Sequence, residues 1–107
     1  MTTVNTPWVR RGQFITETGR RIQVDSPAWF AWLQTATQFY YSPDYPIYRF
    51  TARKEKRRHT YYWYGYLKTG RKLHNIYLGK VEQLTKARLD QAYERLRQKS
   101  RQPRASG

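Results

Sequence analysis

The fold is decided by a central run of two strand-like segments joined by a turn signal. The segments are Thr60-Tyr61-Tyr62-Trp63-Tyr64-Gly65-Tyr66-Leu67 and Leu73-His74-Asn75-Ile76-Tyr77-Leu78-Gly79-Lys80, and Lys68-Thr69-Gly70-Arg71 joins them. A Thr-Gly pair between aromatic, β-favouring runs is typical of a tight hairpin, because glycine can take the positive φ that such turns need. The sequence therefore predicts an antiparallel hairpin with Gly70 in its turn.

The length of the turn predicts the register of this hairpin. A two-residue loop at Thr69-Gly70 implies these strand partners: Lys68 with Arg71, Leu67 with Lys72, Trp63 with Ile76, and Tyr61 with Leu78. Because side chains alternate between the faces of a strand, a core face is predicted to carry Tyr61, Trp63, Gly65, Leu67, Ile76 and Leu78. The opposite face then carries Tyr62, Tyr64, Tyr66, Leu73, Asn75 and Tyr77.

A third strand and a helix are predicted on either side of the hairpin. Alternation in residues 47–53 places Tyr48, Phe50 and Ala52 in the core, and Arg49, Thr51 and Arg53 on the face of the tyrosines. Helix capping by Thr85 and helical spacing predict a helix with the apolar stripe Leu89, Ala92, Tyr93 and Leu96. This stripe would cover Trp63, Ile76 and Leu78, with Gly65 allowing the helix to come close.

The N-terminal part predicts a smaller hairpin and a helix. Residues 13–17 and 20–24 flank Thr18-Gly19, with Phe14 or Ile15 on the covered side together with Ile22 and Val24. Ser26 and Pro27 are typical of a helix start, and the apolar spacing extends the helix to about Phe39 or Tyr40, with Trp29 and Trp32 in the core. A proline-rich turn at 41–46 follows.

These elements predict an α+β chain in the order ββα-βββα. An N-terminal β-hairpin and helix are followed by a three-stranded antiparallel sheet packed on a C-terminal helix. The predicted division is a flexible arm at 1–11, the hairpin and Trp-rich helix at 12–46, a nucleic-acid-binding module at 47–98, and a basic disordered tail at 99–107.

Charge is the strongest global feature of the 107 residues. Twenty-one Lys and Arg against seven Asp and Glu give a net charge of +14. This excess favours a polyanionic partner, nucleic acid first and an anionic membrane surface second. The chain has no cysteine, no signal-peptide pattern and no apolar run of membrane-spanning length, so we expect a cytoplasmic protein that does not enter membranes.

Enzymatic chemistry finds little support in the sequence. No two of the seven carboxylates are spaced for acid–base catalysis, and His59 and His74 lack ligand partners at metal-binding spacing. The six glycines are scattered and form no phosphate loop. We therefore expect a non-enzymatic protein without a cofactor, a metal or a small-molecule substrate.

A resemblance to a known fold is carried by the run Tyr77-Leu78-Gly79-Lys80. This run ends the third strand of the predicted three-stranded sheet and precedes a Thr-capped helix. Residues 47–98 resemble the AP2 and phage-integrase arm-type DNA-binding fold, a three-stranded antiparallel sheet with one helix behind it. The resemblance implies that Leu78 is core, that Gly79 ends the strand, and that the outer sheet face lies in the major groove of duplex DNA. Residues 12–46 lie outside this unit, and we expect them either to complete the core or to dock a protein partner.

The sequence thus predicts a DNA-binding protein of a mobile element or of transcription control. The basic run at 53–59 is predicted as a loop that contacts phosphates. The predicted nucleic-acid-binding residues are Arg49, Arg53, Lys54, Lys56, Arg57, Arg58, Tyr62, Tyr64, Tyr66, Lys68, Arg71, Lys72, Asn75 and Tyr77. Two alternatives stay open: stacking of unpaired DNA or RNA bases on tyrosines, and a protein-interaction module or inhibitor.

Overall fold

The computed structural model describes residues 6–43 and 49–101. They form an α+β structure with one seven-stranded mixed sheet and two α-helices. The strands are β1 (Trp8–Arg10), β2 (Gln13–Ile15), β3 (Arg21–Gln23), β4 (Gln38–Ser42), β5 (Phe50–Arg57), β6 (Thr60–Thr69) and β7 (Lys72–Gly79). The helices are α1 (Pro27–Thr35) and α2 (Lys86–Arg101), and a short 3₁₀ turn spans Val81–Gln83.

The sheet continues through the predicted boundary between the two parts of the chain. Its strand order is β3-β2-β1-β4-β5-β6-β7, with β1 and β4 parallel and every other pair antiparallel. The α+β class is confirmed. The predicted three-stranded sheet is wrong in detail, because β4 pairs with β5 through partners such as Phe39 and Ala52 and so joins the N-terminal strands to the central ones.

Two strands lie where none was predicted. β1 falls within the predicted arm, of which residues 1–5 lie outside the described part, and β4 takes the place of the last predicted turn of α1. The Ser26 cap is confirmed, since its hydroxyl accepts a hydrogen bond of 3.2 Å from the Trp29 backbone N–H. α1 ends at Thr35, and from Gln38 to Tyr41 the side chains alternate between partly exposed and buried positions, as is typical of a strand.

The central hairpin forms with a register shifted by two residues from the predicted one. Gly70, with φ of 59°, and Arg71 make the turn, and Thr69 pairs with Lys72. The predicted partners were therefore wrong. A shift of two leaves every side chain on its predicted face, because the strand period is two residues. A β-bulge at Trp63/Tyr64 then places Trp63 opposite Gly79.

Both helices cover the same face of the sheet. The predicted α2 stripe is confirmed, since Leu89, Ala92, Tyr93 and Leu96 are all buried in the core. The indole N–H of Trp29 donates a hydrogen bond of 2.8 Å to the Leu84 carbonyl, and this contact joins α1 to the segment that leads into α2.

Three expectations about core positions are corrected or resolved. Tyr61, predicted in the core, is 52% exposed, because the strand extends past the buried core. A side chain at Gly65 would meet Phe50 and Ile76 at 3.2 Å, so this glycine makes room for neighbouring strands and not for the helix. In the first hairpin Phe14 is the covered residue and pairs with Ile22.

The outer edge of β7 is covered by side chains from α2. Lys99 donates from Nζ to the Asn75 carbonyl at 2.9 Å. Arg88 donates to the carbonyls of Tyr77 at 2.6 Å and Leu78 at 3.1 Å. These bonds satisfy backbone acceptors that an edge strand otherwise leaves open.

Several predictions fall partly or wholly outside the described residues. The positions of Tyr48 and of residues 102–107 are among them, while residues 99–101 of the predicted tail belong to α2. Neither helix of the described ranges is long and apolar enough to cross a membrane.

Candidate nucleic-acid interface

The face of the sheet opposite the helices, here called the outer face, carries the candidate site. Alternation along β1 and β4–β7, with the pairing register, assigns its side chains. They include Trp8, Arg10, Tyr40, Arg49, Thr51, Arg53, Glu55, Arg57, Tyr62, Tyr64, Tyr66, Lys68, Leu73, Asn75 and Tyr77. The outer face therefore combines aromatic rings with five cations and one carboxylate.

At the β1–β4 side of the outer face, arginines lie against aromatic rings. The Arg49 guanidinium carbon is 3.8 Å from the Tyr40 ring centroid and 4.6 Å from that of Trp8. Arg10 lies 4.9 Å from the Trp8 ring, whose indole N–H donates a bond of 2.9 Å to the Ser42 hydroxyl. Such contacts hold guanidinium groups flat and leave their N–H edges available to a ligand.

The same arrangement recurs on β5 and β6. Arg53 lies 5.6 Å from the Tyr66 ring centroid, and Arg57 lies 5.2 Å from that of Tyr64. Arginine and tyrosine alternate along neighbouring strands, and the register brings each arginine within reach of a ring. The cations are thus placed by the sheet and not by flexible loops.

Three tyrosines form a cluster next to these pairs. The Tyr77 ring centroid is 6.0 Å from that of Tyr62 and 5.5 Å from that of Tyr64. Tyr77 is 44% exposed, so part of its ring surface is open to solvent. Lys80 lies 5.9 Å from the Tyr62 ring, which adds a further cation beside the cluster.

Glu55 is the one carboxylate in the sequence of β1 and β4–β7. Its Oε1 lies 2.7 Å from Arg57 Nη2, and its Oε2 accepts a hydrogen bond from the Tyr66 hydroxyl. Burial, followed by this hydrogen bond, raises the pKa of Tyr66 above 10.0. The pKa of Arg57 is raised chiefly by a hydrogen bond with Tyr64, with Glu55 adding to the effect.

Further cations lie at the two ends of the central strands. The turn between β5 and β6 is Arg58-His59, and Arg58 has a φ of 60°, a conformation that favours glycine or asparagine. At the other end, Lys68, Arg71 and Lys72 are exposed around the β6–β7 turn. Of these turn residues, Arg58 occupies a position at which glycine would be less strained.

Two predicted site residues of β5 lie on the helix side of the sheet. The predicted loop at 53–59 is largely strand, because β5 continues to Arg57. Lys54 is opposite Trp63 and Lys56 opposite Tyr61, which puts both on the helix side. Lys54 Nζ donates to the Gln34 carbonyl at 3.0 Å, in the last turn of α1, and burial lowers its pKa.

Most of the other predicted site residues lie on the outer face, but Lys72 pairs with Thr69 and so alternates to the helix side. Nine of them share the outer face: Arg49, Arg53, Arg57, Tyr62, Tyr64, Tyr66, Lys68, Asn75 and Tyr77. Arg58, Arg71 and Lys72 lie at the hairpin turns. Sequence reasoning missed Trp8, Arg10 and Tyr40, since their place beside Arg49 depends on the parallel pairing of β1 with β4, for which the sequence has no local signal.

Two further observations bear on the sequence predictions. An open groove of about 1020 Å³ lies between α1 and the β2–β3 hairpin, lined in part by Phe14, Ile22 and Trp32. The protein partner that the sequence allows for residues 12–46 would bind in this groove. Among residues 6–43 and 49–101, no group of His, Asp or Glu is arranged to hold a metal ion.

No model of a protein family, no curated protein and no solved structure matches this chain. The resemblance to the AP2 and integrase arm-type fold therefore rests on the sequence motif alone.

Proposed function

We propose that this chain is a small, non-enzymatic nucleic-acid-binding protein that docks its outer face on duplex DNA. The observation that carries the proposal is the row of guanidinium groups held on aromatic rings across the sheet face that neither described helix covers. Arg49, Arg53 and Arg57 all make such contacts. Cations fixed in this way lose less side-chain entropy when they meet phosphates or base edges.

The distribution of charge supports a polyanion as the ligand. Among the described residues, the outer face carries Arg10, Arg49, Arg53, Arg57 and Lys68 against the single carboxylate of Glu55. The turns at both ends of β5–β7 add further cations. A duplex lying on this face would meet positive charge under both of its phosphate backbones, and counterion release would favour the complex.

The outer face spans five strands, β1 and β4–β7, which at about 4.8 Å between neighbours is about 19 Å across. Only part of it can enter the roughly 12 Å major groove of B-DNA. We take β5–β7, about 10 Å across, as that part, because it carries Arg53, Arg57 and the tyrosine cluster. Arginines occupy several of the ring surfaces that stacked bases would otherwise use, which favours docking in a groove over stacking. The resemblance of residues 47–98 adds the proposal that the protein belongs to a mobile element or to transcription control.

Salt-dependent binding to a mixed-sequence duplex tests the proposal. Wild type should show a steep linear loss of log affinity with log salt. The double variant Arg49→Ala, Arg53→Ala should reduce the slope by about 2, since each phosphate contact contributes about 0.9. The matched control Lys56→Ala, Arg95→Ala removes the same charge from exposed positions on the helix side. Equal effects of the two double variants, or a flat salt response of wild type, would contradict the proposal.

Binding of unpaired DNA or RNA is the second candidate, and Tyr77 favours it. This residue is 44% exposed and lies in a cluster with Tyr62 and Tyr64, which offers ring surface for one or two bases. Direct competition between a duplex and its separated strands distinguishes the two candidates. A Tyr77→Leu variant that loses single-strand binding selectively would favour the stacking function.

A further inference from the structure

Glu55 occupies a position that non-specific phosphate binding does not explain. It lies on the outer face among cations, and a carboxylate there repels phosphates and weakens the general attraction for a polyanion. Both of its oxygens are engaged, one by Arg57 and the other by the Tyr66 hydroxyl. The carboxylate is therefore built into the face as a fixed part of it.

The contacts of Arg57 fix the direction of its guanidinium group. Nη2 lies 2.7 Å from Glu55 Oε1, and the guanidinium carbon lies 5.2 Å from the centroid of the Tyr64 ring. The Arg57 side chain is nevertheless 57% exposed, while that of Glu55 is 26% exposed. Arginine has five N–H donors, so the bonds to Glu55 and Tyr64 leave other donors of this exposed side chain for a ligand.

We propose that Arg57 reads a guanine in the major groove of duplex DNA and that Glu55 is its positioning residue. The inference rests on the proposed function and specifies the ligand as a duplex with a G·C pair at this point of the face. A phosphate bound at Arg57 would also face the neighbouring carboxylate and be repelled. The O6 and N7 atoms of guanine are neutral acceptors with the spacing that a guanidinium group contacts in a bidentate manner.

Arg53 differs from Arg57 in having no carboxylate beside it among the described residues. It lies earlier on the same strand and on the same face, over the Tyr66 ring at 5.6 Å. Within the described ranges, no carboxylate lies in ion-pair distance of its guanidinium group. Arg53 is therefore free to contact a phosphate, and its loss should weaken binding to every sequence alike.

Selection of binding sites from duplexes with randomised central positions tests the inference. Wild type should enrich sites with a guanine at one fixed position. In an enriched site, replacing that guanine by 7-deazaguanine removes N7 without disturbing base pairing, and should weaken binding about tenfold. Arg57→Ala should bind more weakly and be indifferent to this replacement. The matched control Arg53→Ala should bind more weakly and keep the full tenfold sensitivity.

Glu55→Gln separates positioning from a purely structural role. It should reduce the sensitivity to 7-deazaguanine and raise the affinity for unselected duplex, and a structural role alone would change neither. Thermal unfolding by circular dichroism shows whether this variant is folded; if it is not, the Arg57 measurements decide alone. Wild-type sites without such a guanine, or 7-deazaguanine sensitivity retained by Arg57→Ala, would overturn the inference while leaving duplex binding intact. Absence of duplex binding would instead overturn the proposed function.

Discussion

Arg53 and Lys54 are neighbours in the chain, and they lie on opposite faces of the sheet. Arg53 lies on the outer face over Tyr66, and Lys54 points to the helix side, where it contacts Gln34 and Trp63. Replacing each by methionine removes one charge and keeps most of the apolar stem. We expect Lys54→Met to lower stability with little change in duplex affinity. We expect Arg53→Met to lower duplex affinity with little change in stability.

The magnitudes follow from the contacts. Lys54 donates to a carbonyl in the last turn of α1 at 3.0 Å, and a cation near a helix C-terminus contributes about 0.3–1 kcal/mol. Its ammonium also lies 5.6 Å from the Trp63 ring, worth about 0.5–1 kcal/mol. Lys54→Met should therefore lower the free energy of unfolding by about 1–2 kcal/mol. Arg53→Met loses one exposed ring contact and should cost less than about 1 kcal/mol.

Urea unfolding followed by circular dichroism measures the change in stability. Duplex titration over a range of salt measures the change in affinity. Arg53→Met should reduce the salt slope by about 0.9, the value for one phosphate contact. Lys54→Met should leave that slope unchanged. If Lys54→Met reduces the slope as much as Arg53→Met and has normal stability, the assignment of the two faces is wrong.

Three further predictions concern the hydrogen bonds and the backbone. Trp29→Phe leaves the Leu84 carbonyl without its indole donor and should cost about 1–3 kcal/mol in urea unfolding; an unchanged midpoint would contradict this. Arg58→Gly relieves a φ of 60° and should stabilise the fold by up to about 1 kcal/mol while weakening duplex binding, and a loss of stability would refute the strain argument. The pKa of Tyr66 is raised from 10.0 by burial and by Glu55, so the protonated phenol favours the folded state. This contribution is complete below pH 10.0 and is lost as the pH rises through the raised pKa. In Tyr66→Phe, unfolding measured across that range should lose less stability with rising pH than in wild type, and equal slopes would count against the raised pKa.

The side-chain faces of the central hairpin were predictable from sequence, and its register was not. The turn is at Gly70-Arg71 and not at Thr69-Gly70, because glycine takes the first turn position, where a type II′ turn needs positive φ. The resulting shift of two residues preserved the alternation. Tyr62, Tyr64 and Tyr66 therefore lie on the predicted face, the outer face, although every predicted strand partner was wrong.

The parts that could not be predicted depend on distant pairing. Residues 36–40 fit a helical period as well as a strand period, and pairing of β4 with β5 determines which of them forms. The cationic run after Arg53 has the composition of a loop, yet it extends β5 because β6 supplies partners as far as Thr60. Parallel pairing of β1 with β4 joins residues far apart in the chain, so the contribution of Trp8 to the candidate site had no local signal.

The covered edge of β7 has a consequence for how molecules of this protein meet at high concentration. A second chain that added a strand there would have to displace Lys99 from the Asn75 carbonyl and Arg88 from those of Tyr77 and Leu78. It would also bring two strongly cationic molecules together. The opposite edge, β3, spans Arg21–Gln23, which is too short to template extended pairing. These contacts and the shortness of β3 therefore disfavour the addition of a further strand at either edge of the sheet formed by residues 6–43 and 49–101.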